Sequence, residues 1–214
     1  MISVHRMKGE FGSSEVARIP TTDCSAISAD PNRESTIGFV SDRTISLWDT
    51  RTKEASVVCK TSQLFPIRCL DMNPSLEYMI VTGGSEGQMM FWDIRQPSEC
   101  VESVIAHNHH VRSVKYHPTH DQLVLSSGTD CSVKLWRYQS VSSTPPKPLP
   151  LTVVGMSQTP PRVPDGLIQS VNRHEDSVYR CCWARDGWTY ASVSTDGTLM
   201  INSTPQSEKY RIML

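Results

Sequence analysis

Tryptophan recurs in this chain at a fixed interval, and the interval limits what the chain can fold into. Trp48 in TISLWDTR, Trp92 in QMMFWDIR and Trp136 in SVKLWRY stand 44 residues apart. A short polar turn precedes each one, at Ser41–Thr44, Ser85–Gln88 and Thr129–Ser132, and each turn holds an acidic residue at the same offset: Asp42, Glu86 and Asp130. A fourth copy, STDGTLMIN, has Asp196 in its turn and Asn202 at the tryptophan position. The flanking segments read as short strands. In the third copy these are Val111–Tyr116, Gln122–Ser127 and Ser132–Trp136, punctuated by Pro118, Gly128 and polar turns. No stretch sustains a helical period of useful length. Strand–turn–strand units at this spacing have the interval of a four-stranded propeller blade. The expected fold class is therefore all-β, a β-propeller with about four blades present. Residues 1–138 read as three blades, the first weakly patterned. Residues 139–172 read as a largely flexible Pro/Ser/Thr-rich insertion, and 173–214 as a final blade with a C-terminal strand.

The third copy resembles a WD40 blade residue by residue. His107, Ser126, Asp130 and Trp136 occupy the four positions of the hydrogen-bond tetrad of that family. The resemblance implies that the turn aspartate accepts from the histidine, which engages the strand serine, which in turn reaches the indole N–H. Such a network satisfies buried polar groups and pins the loop outside the blade. The other copies are partial. The first has Asp42 and Trp48 but Gly38 in place of Ser/Thr, and the second has Thr82, Glu86 and Trp92 but Gln63 in place of histidine. The fourth has His174, Ser192 and Asp196 but no tryptophan. A Ser-His-Asp hydrolase reading fits these residue types, but a single active site would not repeat blade by blade, and no G-x-S-x-G elbow is present. Catalytic residues are expected to be none.

Composition narrows the function. Lys and Arg total 21 against 22 Asp and Glu, for a formal net charge of −1. A nucleic-acid binder would show a basic excess. No apolar run approaches the roughly 20 residues that span a bilayer, and the opening MISVHRMKGEFGSSEV lacks a secretory core, so the chain reads as soluble and cytoplasmic. Seven cysteines at irregular spacing, without a C-x-x-C pair, read as buried thiols in a reducing compartment rather than a disulfide framework or zinc site. Histidines gather at His107, His109, His110, His117 and His120. Imidazole is a common metal ligand, but His107 belongs to the tetrad and the others fall on loops flanking one strand. No metal, cofactor or small-molecule substrate is expected.

The repeat breaks once. Asp196 follows Asp130 by 66 residues, about 22 more than the period, and the excess lies in Gln139–Asn172. Seven prolines from Pro145 to Pro164 crowd this stretch, which disfavours a sheet ladder. Its apolar interior, Leu151–Met156, is a candidate outer strand for the third blade. Pro145–Pro148 and Pro161–Pro164 are minimal P-x-x-P matches, a pattern that docks on aromatic grooves but is short enough to arise by chance. Ser142, Ser143, Thr144 and Thr159 are exposed phosphorylation candidates on this reading.

HDQLVLSSGTDCSVKLW (His120–Trp136), RHEDSVYRCCWARDGWTYASVSTDGTLMIN (Arg173–Asn202) and the ending KYRIML (Lys209–Leu214) resemble the EARP and GARP complex-interacting protein family of WD-repeat proteins. The similarity runs from about Ser13 to Leu214 and includes TISLWDTR. It implies a non-enzymatic adaptor. Its partners would be multisubunit tethering complexes, and its place the cytoplasm at the periphery of endosomes and the trans-Golgi network. Its role would lie in endosomal recycling, retrograde vesicle traffic and, in some cells, dense-core vesicle biogenesis. Family members have roughly three further blades before the matched region, so this chain reads as the C-terminal part of a seven-bladed ring, with a shortened gene product the expected explanation. A fragment completed by a partner and a four-bladed closure are the alternatives. The runner-up function is a generic WD40 scaffold or substrate receptor, as in a cullin-type ubiquitin ligase or a chromatin complex. WDTR and WDIR, with Arg51 and Arg95, resemble the signature of such receptors. Tyr179, Arg185 and Trp188 in the last blade, with the neighbouring Trp183, are further candidates for protein binding; core packing of strands is the alternative reading for all four and the favoured one for Trp183.

Overall fold

Short apolar segments bounded by turn residues pair with their chain neighbours, and the result is a row of antiparallel meanders. A computed structural model describes residues 2–8, 12–19, 23–52, 54–60, 65–144 and 164–213, with 2–8, 12–19 and 54–60 as backbone only. The chain opens on a hairpin, β1 (Ile2–Lys8) with β2 (Gly12–Ile19). The first blade is β3 (Cys24–Ala29), β4 (Thr36–Ser41), β5 (Thr44–Asp49) and β6 (Glu54–Lys60). The second is β7 (Ile67–Met72), β8 (Met79–Gly84), β9 (Gln88–Asp93) and β10 (Glu102–Ile105). The third is β11 (Val111–Tyr116), β12 (Leu123–Gly128), β13 (Val133–Arg137) and β14 (Gly166–Val171). The last has three strands, β15 (Val178–Trp183), β16 (Thr189–Ser194) and β17 (Leu199–Ser203), and is followed by helix α1 (Gln206–Met213). Every sheet is antiparallel in chain order, as the propeller pattern requires.

The core lies between blades rather than within them. Val40 and Ile45 of the first blade pack with Leu70, Ile80 and Trp92 of the second. Val81, Met89 and Phe91 pack with Val114, Val124 and Trp136 of the third. Leu123, Leu125 and Leu135 pack with Val178, Cys181 and Tyr190 of the last. A strand between two such interfaces is buried on both faces, so its sequence need not alternate. MIVTGG in β8 and LVLSSG in β12 are buried at every residue. Gly38 in β4 shows what this packing demands. A Cβ there would sit 3.2 Å from both Leu70 Cδ1 and Met72 Sδ, so the second blade's core occupies the space that the tetrad Ser/Thr of other blades uses. The first blade, weakly patterned in sequence, nevertheless has all four strands.

The structure departs from the sequence reading in three places. The terminal segment is a helix, not a strand. Pro205 stops β-pairing and is suited to a helix start, and Gln206–Met213 is rich in helix formers. Glu208 in its first turn is buried against Arg137 of β13, Nη1 to Oε2 at 2.8 Å, and Ile212 packs on the core between the last two blades. The outer strand of the third blade is β14, inside the stretch assigned to the insertion, while Leu151–Met156 lies outside the described residues. Both ends of the insertion are clipped. Asp165 accepts from the backbone N–H of Gln139 (2.7 Å) and Ser140 (3.1 Å), and Pro164 O accepts from Arg137 (2.8 Å). Ser142 is buried and donates to Gln139 O, and Ser143 donates to Asp121; Thr159 and both P-x-x-P interiors fall outside the described residues. Finally, among the described side chains only Cys69 and Cys181 are buried thiols; Cys24, Cys100 and Cys131 are half-buried and Cys182 is exposed. Burial pushes Cys69 up to about 12 and Cys181 to about 11, so neither is a thiolate at neutral pH.

Candidate functional site: the tetrads and the blade ends

In the third blade the four tetrad residues form one continuous donor–acceptor chain. Trp136 Nε1–H donates to Ser126 Oγ at 2.8 Å, and Ser126 lies 2.8 Å from His107 Nε2. His107 Nδ1 lies 2.8 Å from Asp130 Oδ1. A carboxylate can only accept, so the proton sits on Nδ1, and Ser126 O–H then donates to Nε2. Asp130 also accepts from Asn108 N–H at 3.1 Å, which ties the loop before β11 to the turn between β12 and β13. Burial alone would raise the Asp130 carboxyl, but hydrogen bonds from His107 and Ser132 outweigh it and hold the group well below the usual carboxylate range. Gly128 lies against the imidazole: a Cβ there would come within 2.6 Å of His107 Nδ1.

Ser132 is a fifth member that tetrad logic omits. It donates to Asp130 at 2.6 Å and lies 2.9 Å from His107 Nδ1. The last blade repeats the device with Thr198, which donates to Asp196 at 2.5 Å and lies 2.9 Å from His174 Nδ1. His174 Nε2 reaches Ser192 Oγ at 2.8 Å, and Glu175 N–H binds Asp196 at 2.9 Å. The legible signal was a Ser or Thr two residues after the turn acid, as in Asp130-Cys131-Ser132 and Asp196-Gly197-Thr198. Asn202 stands where the indole would be, and its buried Nδ2 has no partner. In the second blade Trp92 Nε1–H donates to Thr82 at 2.9 Å while Glu86 is exposed in the turn. In the first, Trp48 is buried and Asp42 takes a left-handed turn conformation beside Arg43, and Asp42 O accepts from Ile67 N–H of the next blade.

The Ser126–His107–Asp130 chain has the order of a hydrolase triad but not its access. Ser126 is fully buried, and its oxygen already takes the indole proton. The other histidines anchor loops. His109 lies 2.5 Å from Thr129 Oγ1, and His110 2.6 Å from Ser85 O. His117 Nδ1 accepts from the backbone N–H of Thr119 and His120, so its Nε2–H donates to Gly187 O. Burial pushes His117 down to about 4, and it is neutral at physiological pH. No group of three or more His, Cys, Asp or Glu is placed to hold a metal among the described residues.

The five candidate binding residues do not share one surface. Arg51 and Arg95 each grip the aspartate of their own WD pair: Arg51 Nη2 to Asp49 at 2.8 Å, Arg95 Nη2 to Asp93 at 2.7 Å, with Arg95 also 3.4 Å above the Tyr78 ring. Asp49 is held down at about 2 by the Arg51 hydrogen bond. Trp188 is half-buried, stacked on His120 at 5.2 Å with Lys209 nearby, and Trp183 packs on His117 and Tyr190. Arg185 is exposed in the same β15–β16 turn as Trp188. Arg51, Arg95, Arg185 and Trp188 follow the ends of first or third strands, which run in the same direction within a blade. Tyr179 lies at the opposite end, at the start of β15, where Arg112 sits 4.7 Å over its ring.

The chain has relatives among known proteins. The family profile described as EIPR1 beta-propeller matches residues 4–136. EARP-interacting protein 1 of Caenorhabditis elegans is 34% identical over 180 residues, 83% of this chain and 50% of that protein. EARP and GARP complex-interacting protein 1 of Rattus norvegicus is 36% identical over 189 residues, 83% of this chain and 48% of that protein. WD repeat-containing protein DWA2 of Arabidopsis thaliana is 29% identical over 174 residues. The chain spans about half the length of these relatives. With a family match over more than half its residues and four antiparallel propeller sheets in its structure, the chain belongs to the EIPR1 beta-propeller family.

Proposed function

We propose that the protein is a WD-repeat adaptor that binds the EARP and GARP tethering complexes and supports endosomal recycling and retrograde vesicle traffic. It would work in the cytoplasm, peripheral to endosomes and the trans-Golgi network, as a protein-binding scaffold rather than an enzyme. The observation that carries this reading is the similarity, over 83% of the chain, to relatives named for interaction with those complexes. The physical character of the site agrees with it. Its polar networks are closed on themselves and fix loops at the blade ends, which is what a rigid docking platform needs and what a catalytic centre does not. No helix among the described residues is long and apolar enough to cross a membrane.

Affinity capture of the tagged protein from cells, read by mass spectrometry with the rat relative captured in parallel, tests this. Recovery of tethering-complex subunits with both baits is the expected result. Ligase adaptors or chromatin subunits in their place, or no tethering subunit with this chain while the rat protein recovers them, would overturn it.

A further inference from the structure

Each first strand of the four blades carries the same irregularity near its start. In β3 the register passes from Cys24↔Ser41 to Ala26↔Val40, so Ser25 is left without a partner. In β7, β11 and β15 the skipped residues are Arg68, Arg112 and Tyr179. A bulge of this kind re-aims the extra side chain out of the ladder. All four bulge residues line one cavity of about 230 Å³, together with Asp23 and Arg180. The repeat therefore gathers side chains from four blades at one place, at the end of the blades where the tetrad turns also lie.

The charge of this cavity is unbalanced. Among the described residues that line it, three guanidiniums face one carboxylate, a local excess of two positive charges on a chain whose formal net charge is −1. Elsewhere the described arginines commonly hold carboxylates: Arg33 with Glu77, Arg51 with Asp49, Arg95 with Asp93, Arg137 with Glu208. Among the described residues Arg68, Arg112 and Arg180 have no ion pair. Two of them are held in place by neutral groups: Arg68 Nε donates to Ser85 Oγ at 2.8 Å, and Arg112 lies on the Tyr179 ring at 4.7 Å. Guanidiniums that are oriented but not neutralised suit a multi-oxygen anion that can accept several N–H bonds at once. An excess of two charges matches a phosphoryl group, which carries about −1.5 to −2 at pH 7, better than a single carboxylate.

We propose that the bulge residues Arg68 and Arg112, with Arg180, form a binding site for a phosphorylated serine or threonine in an extended segment of a protein partner. The inference is independent of which assembly the protein joins. The bulges set the spacing of the guanidiniums, Tyr179 and Ser85 pre-orient two of them, and Asp23 disfavours ligands whose charge is too small to outweigh it.

Fluorescence anisotropy with the whole chain tests this, using labelled degenerate peptide libraries with a central phosphoserine or phosphothreonine. Matched libraries carry the unmodified residue or glutamate. The phosphorylated libraries are expected to bind roughly tenfold or more tighter than either control, the scale of one charge-assisted contact, and to be displaced by inorganic phosphate. Arg112→Ala and Arg68→Ala should each lower that affinity about tenfold, Arg112→Lys less, because it keeps charge without the fork. Arg33→Ala, in the turn at the other end of the first blade, should leave it unchanged. Equal binding of the glutamate library would overturn the phosphate assignment. No binding, or binding only to vesicles containing phosphorylated phosphatidylinositol, would overturn the site as a peptide receptor. Circular dichroism of each variant separates loss of binding from loss of fold.

Discussion

Ser126 links the indole to the imidazole in the third blade, and its value lies in the two groups it would leave behind. Replacing it by alanine removes the acceptor of the Trp136 indole and the donor to His107 Nε2, all within the buried interior. An orphaned buried polar group costs about 1–3 kcal/mol, and with two of them Ser126→Ala is expected to destabilise by roughly 2–6 kcal/mol. Ser192→Ala in the last blade orphans only His174, because Asn202 replaces the indole, and should cost about half as much. Urea denaturation of the two variants gives the comparison; equal losses would mean the indole contact contributes little. The sequence exposed this residue through the 44-residue spacing, since Ser126 precedes Trp136 as Thr82 precedes Trp92. Ser132 and Thr198 were missed because a hydroxyl in a turn has many uses, and only the fold shows it facing the histidine.

Helix α1 is the element that ties the end of the chain to a blade it does not belong to. Arg137 and Glu208 are each about 7% exposed and pair at 2.8 Å, and Arg211 also reaches Glu208. Removing one partner of a buried ion pair leaves an uncompensated charge, at a cost of about 3–5 kcal/mol. Glu208→Ala should therefore lower stability by about that much, whereas Arg137→Met combined with Glu208→Leu should come close to neutral. Thermal or denaturant unfolding of single and double variants checks this; a double variant as unstable as the single would show that the pair itself, and not the uncompensated charge, carries the loss. The closing residues alone do not settle this element. KYRIML suits either a strand or a helix, and the choice was made by Pro205 and by the distant Arg137.

Across the whole molecule, the blades stack through shared cores, and the last sheet packs against the third blade. In β17 the pattern is alternately exposed, with Leu199 at 63% and Ile201 at 68%, and the strand's outer edge has no partner strand among the described residues. An unpaired apolar edge recruits other strands. Purified chain is expected to self-associate with rising concentration, and Ile201→Lys to shift it towards monomer, as sedimentation velocity would report; a monomer at all concentrations would show that the edge is already protected. The blade is written in local spacing: the period, the turn acids, the tryptophans and one complete tetrad all follow from it, because each blade is a meander of chain neighbours. The folded structure settles what those blades do to one another. It placed β14 after the prolines rather than among them, turned the last segment into a helix over Arg137, and brought Arg68, Arg112 and Arg180 to one cavity. The physical reason is range: hydrogen-bond ladders and turns are set within a few residues, whereas burial, charge pairing and cavity lining depend on residues tens of positions apart.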